Sequence, residues 1–522
     1  MSKKVDDYVL GMDCGTTNIK AIIMGADGKI VAEASRPSVF LNPGPGRQEQ
    51  DANVWWKHAC EIFRSLVEQA GKEVTRRIRG ISISSHTVSL LAVDENGVPV
   101  RNAMTYQDSR SVNELNYIVD TVGFERFVSI VGGQPSVAFL PNKLLWFKKN
   151  EPELFAKTKY FMQASSFINM KLTGVATSDI DQALRTQCMD ISSLTWSEEI
   201  GNVIGINLDK VMPEVKLVDE IIGTVTPKAA KETGLIEGIP VVAGCSDAMA
   251  SMYATGLSRL GEVGESSGTT SLVFVGSDKK SRPDIPVVTR PCAIKDMPWV
   301  FDAPIQASGA AIKWFIDSMA AEECAYAKEH DKNIYSYLNE LALESKPGSN
   351  GLFFFPYLLG ERAPLWNDYA RGMFIGMRMD MKRSELVRSV FEGTAYALRH
   401  VIETVKASGG QANVLRICGG GAKSRTWSMI KASMLNMPVY VLDETSGDVP
   451  VGDALIAGHR VGVFEDLTKA VEEIVKVKEI IMPNEGWVEI YDKLYPYYVE
   501  MYKELDESLN SLSKTIDSIY MK

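Results

Sequence analysis

With 522 residues, 45% hydrophobic and 23% charged, the chain exceeds what one hydrophobic core sustains, and two large domains are expected. A formal net charge of −10 without a Lys/Arg-rich block argues against nucleic-acid and anionic-membrane partners, and any phosphate site must be made locally, from backbone amides, a few cations and a metal. Seven cysteines scattered singly argue against a disulfide framework or zinc site, and a polar N-terminus with no apolar run of membrane-spanning length predicts a soluble, cytoplasmic protein.

The chain opens with strands. Tyr8 to Met12, Ile19 to Met24 and Ile30 to Ala34 read as a three-stranded meander. The turn between the first two is Gly15-Thr16-Thr17, where glycine lets backbone N–H groups approach an anion and the threonine hydroxyls add donors. Asp13, just before that turn, suits an acid that holds a divalent cation through water; the plainer alternative is an acid capping the turn. Asp51 opens an amphipathic helix in which Trp55, Ala59, Ile62, Phe63, Leu66, Val67 and Ala70 share a face. Ile78 to Ser84 is a buried strand, and Leu90 to Val93 is another before the Asn96-Gly97 turn. This alternation is the pattern of an α/β fold.

His86 lies just past a strand end, and in α/β folds such ends face the ligand crevice, although a satisfied structural histidine is the alternative. Asp108 and Arg110 either bind sugar hydroxyls or pair with each other. The segment from about 132 to 194 is mostly helical. Val241 to Ala243 is a short strand entering Gly244-Cys245-Ser246-Asp247, and a small-residue helix, Ala248 to Thr255, follows. Asp247 at that strand end is placed to accept a proton from a hydroxyl; otherwise it is only the N-cap of the helix.

The second half repeats the plan. Gly264 to Thr270 ends in Gly268-Thr269-Thr270, the same hairpin device roughly 250 residues on, which suggests two related lobes closing on one polyphosphate. Helices are expected over about Gly309 to Met319, Asn333 to Ser345 and Arg383 to Lys406. The apolar run Leu352 to Phe355 leads into Gly360-Glu361-Arg362-Ala363-Pro364, whose Glu-Arg pair reads either as a salt bridge that organises an interlobe loop or as a solvated surface pair. Leu415 to Cys418 is a strand ending in Gly419-Gly420-Gly421, where a flat ring or phosphate can lie against the backbone, and Ser424 to Leu435 is the helix after it. From about Glu485 the tail is a charged helix that packs back on a lobe. The lobe boundary falls near Gly256, giving an N-terminal lobe of 1–256 and a C-terminal lobe of 257–522.

Asp13-x-Gly15-Thr16-Thr17, Arg47-Gln48-Glu49-Gln50-Asp51, Tyr106-Gln107-Asp108-x-Arg110, Gly244-x-x-Asp247, Gly268-Thr269-Thr270, Gly360-Glu361-Arg362-Ala363-Pro364 and Gly419-Gly420-Gly421-Ala422 occur in the order and spacing of the FGGY carbohydrate kinases. The chain resembles that family over nearly its whole length, and its xylulokinase branch most closely. The resemblance implies two duplicated ribonuclease-H-like lobes of the actin/hexokinase/Hsp70 ATPase type around a central cleft. It also implies ATP and Mg²⁺ as the phosphoryl donor and metal, with a small sugar or polyol as the partner and room for a homodimer.

Carried over, Asp247 matches the catalytic base and a metal-associated position, and Asp13 the magnesium-associated acid. Thr16, Thr17, Asn18 and Lys20 match the first phosphate hairpin, and Gly268 and Thr269 the second. Gly309 and Lys313 match nucleotide-contacting positions, and Gly420, Gly421 and Arg425 positions beside the adenosine. Ser85, His86, Asp108 and Asp247 fall where the family holds its sugar. Two departures lie in that pocket: Ala248 follows the base where xylulokinases often have Asn, and Ser85 precedes His86 where a longer side chain is common. Both leave the nucleotide machinery untouched, so ATP use is better supported than xylulose itself; the reaction the resemblance implies is phosphorylation of D-xylulose or a related ketopentose. The alternatives are another small polyol or sugar (glycerol, ribulose, erythritol, gluconate), or an actin/Hsp70-type ATPase that is not a kinase.

Overall fold

A computed structural model describes residues 7–281, 286–443 and 447–520, so the polar N-terminal residues 1–6 lie outside it. The described residues divide into two compact units, the first from 7–254, 291–295 and 448–474, the second from 255–281, 286–290, 296–443, 447 and 475–520.

The first unit is built on a six-stranded sheet in the order Ile221–Thr224, Pro240–Val242, Ile78–Ser85, Tyr8–Cys14, Asn18–Gly25, Ile30–Pro37. Tyr8–Cys14 pairs antiparallel with Asn18–Gly25, and parallel with Ile78–Ser85 so that Asp13 stands opposite Ser84. Val9, Leu10, Met12, Ile23 and Met24 are fully buried on both faces of these strands, as central strands covered on two sides require. The helix Ala52–Thr75 starts where Asp51 accepts the Asn53 N–H at 2.8 Å, and it buries Trp55, Ala59, Ile62, Phe63 and Leu66. A separate helical cluster forms around Leu144, Phe147, Phe161 and Ile200.

Helix Val449–Arg460 also packs on Tyr8–Cys14 and Ile78–Ser85, so the division between units is not the single boundary read near Gly256. The physical reason is glycine packing. A Cβ on Gly11 would stand 2.0 Å from Pro450 O, and one on Gly452 1.9 Å from Ala250 O, so bare backbones meet there and the late helix is locked to the early strands.

The second unit repeats the plan. Its seven-stranded sheet runs Val288–Pro291, Trp299–Asp302, Ser271–Ser277, Gly261–Ser267, Ala412–Cys418, Val439–Leu442, Val477–Ile481. Again an antiparallel hairpin is followed by two parallel strands and an antiparallel edge strand. Helices Arg383–Ala407, Arg425–Leu435 and Glu485–Tyr520 cover it, the last through Tyr491, Tyr498 and Tyr502. Ser424 caps its helix by accepting the Trp427 N–H at 3.0 Å. Helices Ala321–Glu329 and Leu467–Ile474 are additions to the sequence reading.

Candidate active site

Both Gly-Thr-Thr segments are tight hairpin loops, with four residues between the last paired positions of the first and three in the second. Cys14 pairs with Ile19 and Ser267 with Ser271, and in each loop the glycine N–H donates across the turn at 3.1 Å, Gly15 to Asn18 O and Gly268 to Thr270 O. Thr16 is half-buried, and Thr17, Asn18, Gly268 and Thr269 are exposed, so the hydroxyls and amides at both tips remain open to a ligand.

In the first unit, Asp13 ends up among carboxylates. Burial and then the neighbouring Asp247 and Asp448 hold its carboxyl well above the usual range, against the opposite pull of Lys20 and the Ser84 hydroxyl. Its Oδ1 is buried without a hydrogen-bond partner. Lys20 reaches Asp448 at 3.5 Å. Asp453, from helix Val449–Arg460, is fully buried; its Oδ2 accepts the Ser84 hydroxyl at 2.7 Å and its Oδ1 has no partner. Burial and the carboxylates of Asp13 and Asp247 hold Asp453 up as well. An orphaned carboxylate oxygen beside like charges suits a cation. Among the described residues, however, no group of three or more His, Cys, Asp or Glu is arranged to hold a metal by itself.

Asp247 is the first residue of helix Asp247–Ala254, and its Oδ1 accepts the Ala248 N–H at 2.7 Å. The hydroxyl that caps this helix is that of Ser246, accepting the Met249 N–H at 3.2 Å, so capping falls to the neighbour of Asp247. Ser246 is itself anchored, its N–H donating to Asp181 Oδ2 at 3.0 Å, while Asp181 Oδ1 accepts from Arg185 at 2.9 Å.

The other residues expected around the sugar have their polar atoms committed within the protein. Ser85 Oγ donates to His86 O at 3.1 Å and accepts from Ser165 N and Gln182 Nε2, both at 3.0 Å. His86 Nδ1 lies 2.9 Å from Cys14 O and Nε2 2.8 Å from Ser89 Oγ, with Trp55 edge-on at 5.8 Å; burial lowers its pKa, which keeps the ring neutral. Asp108 is fully buried and grips Arg110 through two oxygens at 2.8 and 2.6 Å, which is the pairing alternative. Lys143 beside it donates to Thr105 O at 2.6 Å, and burial pulls its ammonium down to about 7.

In the second unit one cavity of about 980 Å³ opens against the second hairpin. Gly268, Thr269, Gly309, Lys313, Gly420 and Gly421 all line it, together with Trp314, Tyr335, Asn339, Ser424 and Trp427. Part of its wall is bare backbone with no room for a side chain: a Cβ on Gly309 would stand 2.4 Å from Gly268 O, and one on Gly421 2.2 Å from Ser267 Oγ. Lys313 pairs with Asp317 at 2.7 Å on the rim. Arg425 lies elsewhere, since its guanidinium is drawn to Glu479 at 2.8 Å on the surface and it does not line the cavity. The expected Glu361–Arg362 salt bridge is replaced by backbone bonds: Glu361 Oε1 accepts the N–H groups of Gln306 at 2.8 Å and Arg362 at 2.7 Å. Asp448, Asp453, Glu265 and Lys431 escaped the sequence reading. For Asp453 and Lys431 the available signal was a charge in a small-residue or apolar helical run, as in Val451-Gly452-Asp453-Ala454-Leu455.

Two sheets of one plan, each tipped by a Gly-Thr-Thr hairpin, with a carboxylate cluster at one and a glycine-walled cavity at the other, define a phosphotransferase on the actin/hexokinase-like ATPase fold. The chain belongs to the FGGY family of carbohydrate kinases, whose N-terminal domain model matches residues 8–254 and whose C-terminal domain model matches residues 265–461. It is 29% identical over 512 residues to the xylulose kinase of Bacillus subtilis (strain 168), covering 97% of this chain and 99% of the relative. It is 27% identical over 517 residues to the gluconokinase of the same organism, covering 97% and 98%. The crystal structure of xylulose kinase from Rhodospirillum rubrum superimposes with a TM-score of 0.88 at 29% identity, over 96% of this chain and 99% of that one. The protein is thus a carbohydrate kinase, and its family implies ATP as the co-substrate. Among the described residues no helix is long and apolar enough to cross a membrane.

Proposed function

We propose that the protein transfers the γ-phosphoryl group of ATP to a hydroxyl of D-xylulose or a related ketopentose, with Asp247 as general base. One observation carries the reading: six of the seven residues singled out for the nucleotide in the second half of the chain surround a single cavity. ATP occupies it, with its phosphates on the amides and hydroxyls of the Gly268–Thr269 turn and its purine against Gly420 and Gly421. Asp247 takes the proton of the acceptor hydroxyl as its oxygen bonds the γ-phosphorus and the bond to the β-phosphate oxygen breaks, releasing ADP. Lys20 and the Gly15–Thr17 turn add positive charge and donors. Mg²⁺ held through Asp13 and Asp247 supplies Lewis-acid neutralisation of the phosphates; the unpartnered Asp13 Oδ1 supports a cation there.

Ser85, His86 and Asp108 serve the sugar by fixing the pocket. Ser85 and the loop before Asp247 are held by adjacent residues of one short helix, Gln182 and Asp181, which sets the strand end against the base. Seven free thiols among seven cysteines support a reducing, cytoplasmic setting.

A second reading, gluconate as acceptor, has the gluconokinase similarity in its favour. Coupled ADP-release assays with D-xylulose, D-ribulose, D-gluconate, glycerol and erythritol decide between them. D-xylulose is expected to give the highest kcat/KM. A preference of about tenfold for gluconate or glycerol would move the assignment to that acceptor, and ADP release that no sugar stimulates would remove the proposal.

A further inference from the structure

A buried ion pair stands directly behind the cavity wall of the second unit. Lys431, from helix Arg425–Leu435, and Glu265, from strand Gly261–Ser267, have side chains each 1% exposed, and Lys431 Nζ donates to Glu265 Oε1 at 2.6 Å. The same oxygen accepts the Ser271 hydroxyl at 2.7 Å. With that proton committed, Ser308 donates to Ser271 Oγ across 2.8 Å. Lys431 Nζ also lies 3.4 Å from Ser267 Oγ and 4.1 Å from the centre of the Trp427 ring.

These partners are the anchors of the cavity. Ser267 and Trp427 line it directly, Ser271 follows the Gly268–Thr270 turn, and Ser308 precedes the lining residue Gly309. Gly268, Gly309, Gly420 and Gly421 have no side chains with which to hold their own positions. Each depends on a neighbour: Gly309 lies against Gly268 O and Gly421 against Ser267 Oγ. Burying two charges costs several kcal/mol of desolvation, so such a pair is a poor device for stability alone and a good one for fixing geometry.

We infer that Lys431 and Glu265 are a positioning pair for nucleotide binding, holding the Gly268–Thr269 amides, the Gly309 helix start and the Trp427 wall in register. This rests on reading the cavity as the nucleotide site. The pair touches neither reacting group, so its loss weakens the nucleotide and spares the sugar.

The test measures MgADP affinity by calorimetry and steady-state KM for ATP and for sugar, on the full chain, with circular dichroism and Tm as folding controls. Wild-type protein and Thr269→Val examine the cavity itself: no MgADP binding by the wild type, or unchanged affinity in Thr269→Val, removes the nucleotide reading and the inference with it. If that reading stands, Lys431→Met is expected to lower MgADP affinity about tenfold or more and raise KM for ATP in step, with KM for sugar within about twofold. The double variant Lys431→Met/Glu265→Gln, which removes the stranded charge yet keeps an acceptor for Ser271, is expected to return to within about threefold of wild type. Wild-type affinity in Lys431→Met, or a double variant no better than the single, overturns the pair's role while leaving the cavity assignment intact. Should Lys431→Met fail to fold, Lys431→Arg keeps the charge in a different shape; reduced MgADP affinity at wild-type Tm upholds the inference, and wild-type affinity overturns it.

Discussion

Glu361 is a carboxylic acid whose surroundings favour its protonated form, and replacing it with glutamine should make the protein less sensitive to alkaline pH. The side chain is 2% exposed. Its Oε1 accepts two backbone N–H groups while Oε2 is buried without a partner. Burial raises its pKa from 4.5 to about 7, against the lowering effect of those N–H groups and of Arg362. At 1.36 kcal/mol per pH unit, that rise corresponds to at most about 3 kcal/mol. The sign follows from the folded chain holding the proton more tightly than the unfolded one. The contribution is fully present below about pH 4.5 and is lost as pH rises through about 7. Glutamine keeps a carbonyl oxygen for both N–H groups and never ionises. For a unit of this size 1 kcal/mol moves Tm by about 2–4 °C, so Glu361→Gln should retain up to about 6–12 °C that the wild type loses between pH 5 and pH 8. Differential scanning calorimetry of the two proteins at both pH values reads the effect as a difference of differences, in which every other titrating group cancels. An equal loss of Tm in the two proteins would show that folding leaves the Glu361 pKa unraised, and the reasoning from its burial would fail.

Asp247→Ala should lower kcat by about two to four orders of magnitude with a small change in KM for ATP, read in the coupled ADP assay; near-wild-type turnover removes Asp247 as the base. Gly309→Ala places a methyl group against Gly268 O, a backbone atom without a rotamer to escape into. It should lower stability by about 1–3 kcal/mol and weaken MgADP binding, whereas unchanged calorimetric titrations would mean that the two backbones are not in close contact. Arg425→Ala should leave MgADP affinity within about twofold, because what is lost is a surface ion pair with Glu479 and a contact to Met429 Sδ, both away from the cavity lining; a larger loss would return Arg425 to the proposed nucleotide site.

Local backbone chemistry was the legible part of this protein. Strand–turn–strand segments tipped by Gly15-Thr16-Thr17 and Gly268-Thr269-Thr270, the Asp51 helix start and the Gly419–Gly421 strand end each announce themselves within a dozen residues, and each forms where expected. Features set by long-range packing were not legible. Helix Val449–Arg460 joins the first unit because glycines at 11 and 452 allow backbones to touch, which no periodicity reveals. Glu361 and Arg362 are adjacent and oppositely charged, yet the carboxylate turns inward to backbone N–H groups contributed partly by Gln306, 55 positions away. Arg425 likewise sits beside the glycine loop in sequence while its guanidinium follows Glu479.

The two ends of the reaction are encoded in different ways, and this explains why the phosphoryl donor was easier to read than its acceptor. A polyphosphate is bound by amides and hydroxyls at positions only glycine and threonine fill well, so the residue types themselves carry the signal. A sugar pocket is lined by side chains whose meaning depends on what is left over after internal bonding. Ser85, His86 and Asp108 have the right chemistry for hydroxyls, but their partners are Gln182, Ser89 and Arg110. Buried polar atoms without hydrogen-bond partners also occur on residues no motif marks, among them Gln182 Oε1, Asn169 Oδ1 and Asp179 Oδ2. Unpaired buried acceptors are costly unless something satisfies them, so the choice among xylulose, gluconate and related acceptors is better sought in these three residues and in the space left by Ala248 than in the motif residues beside them.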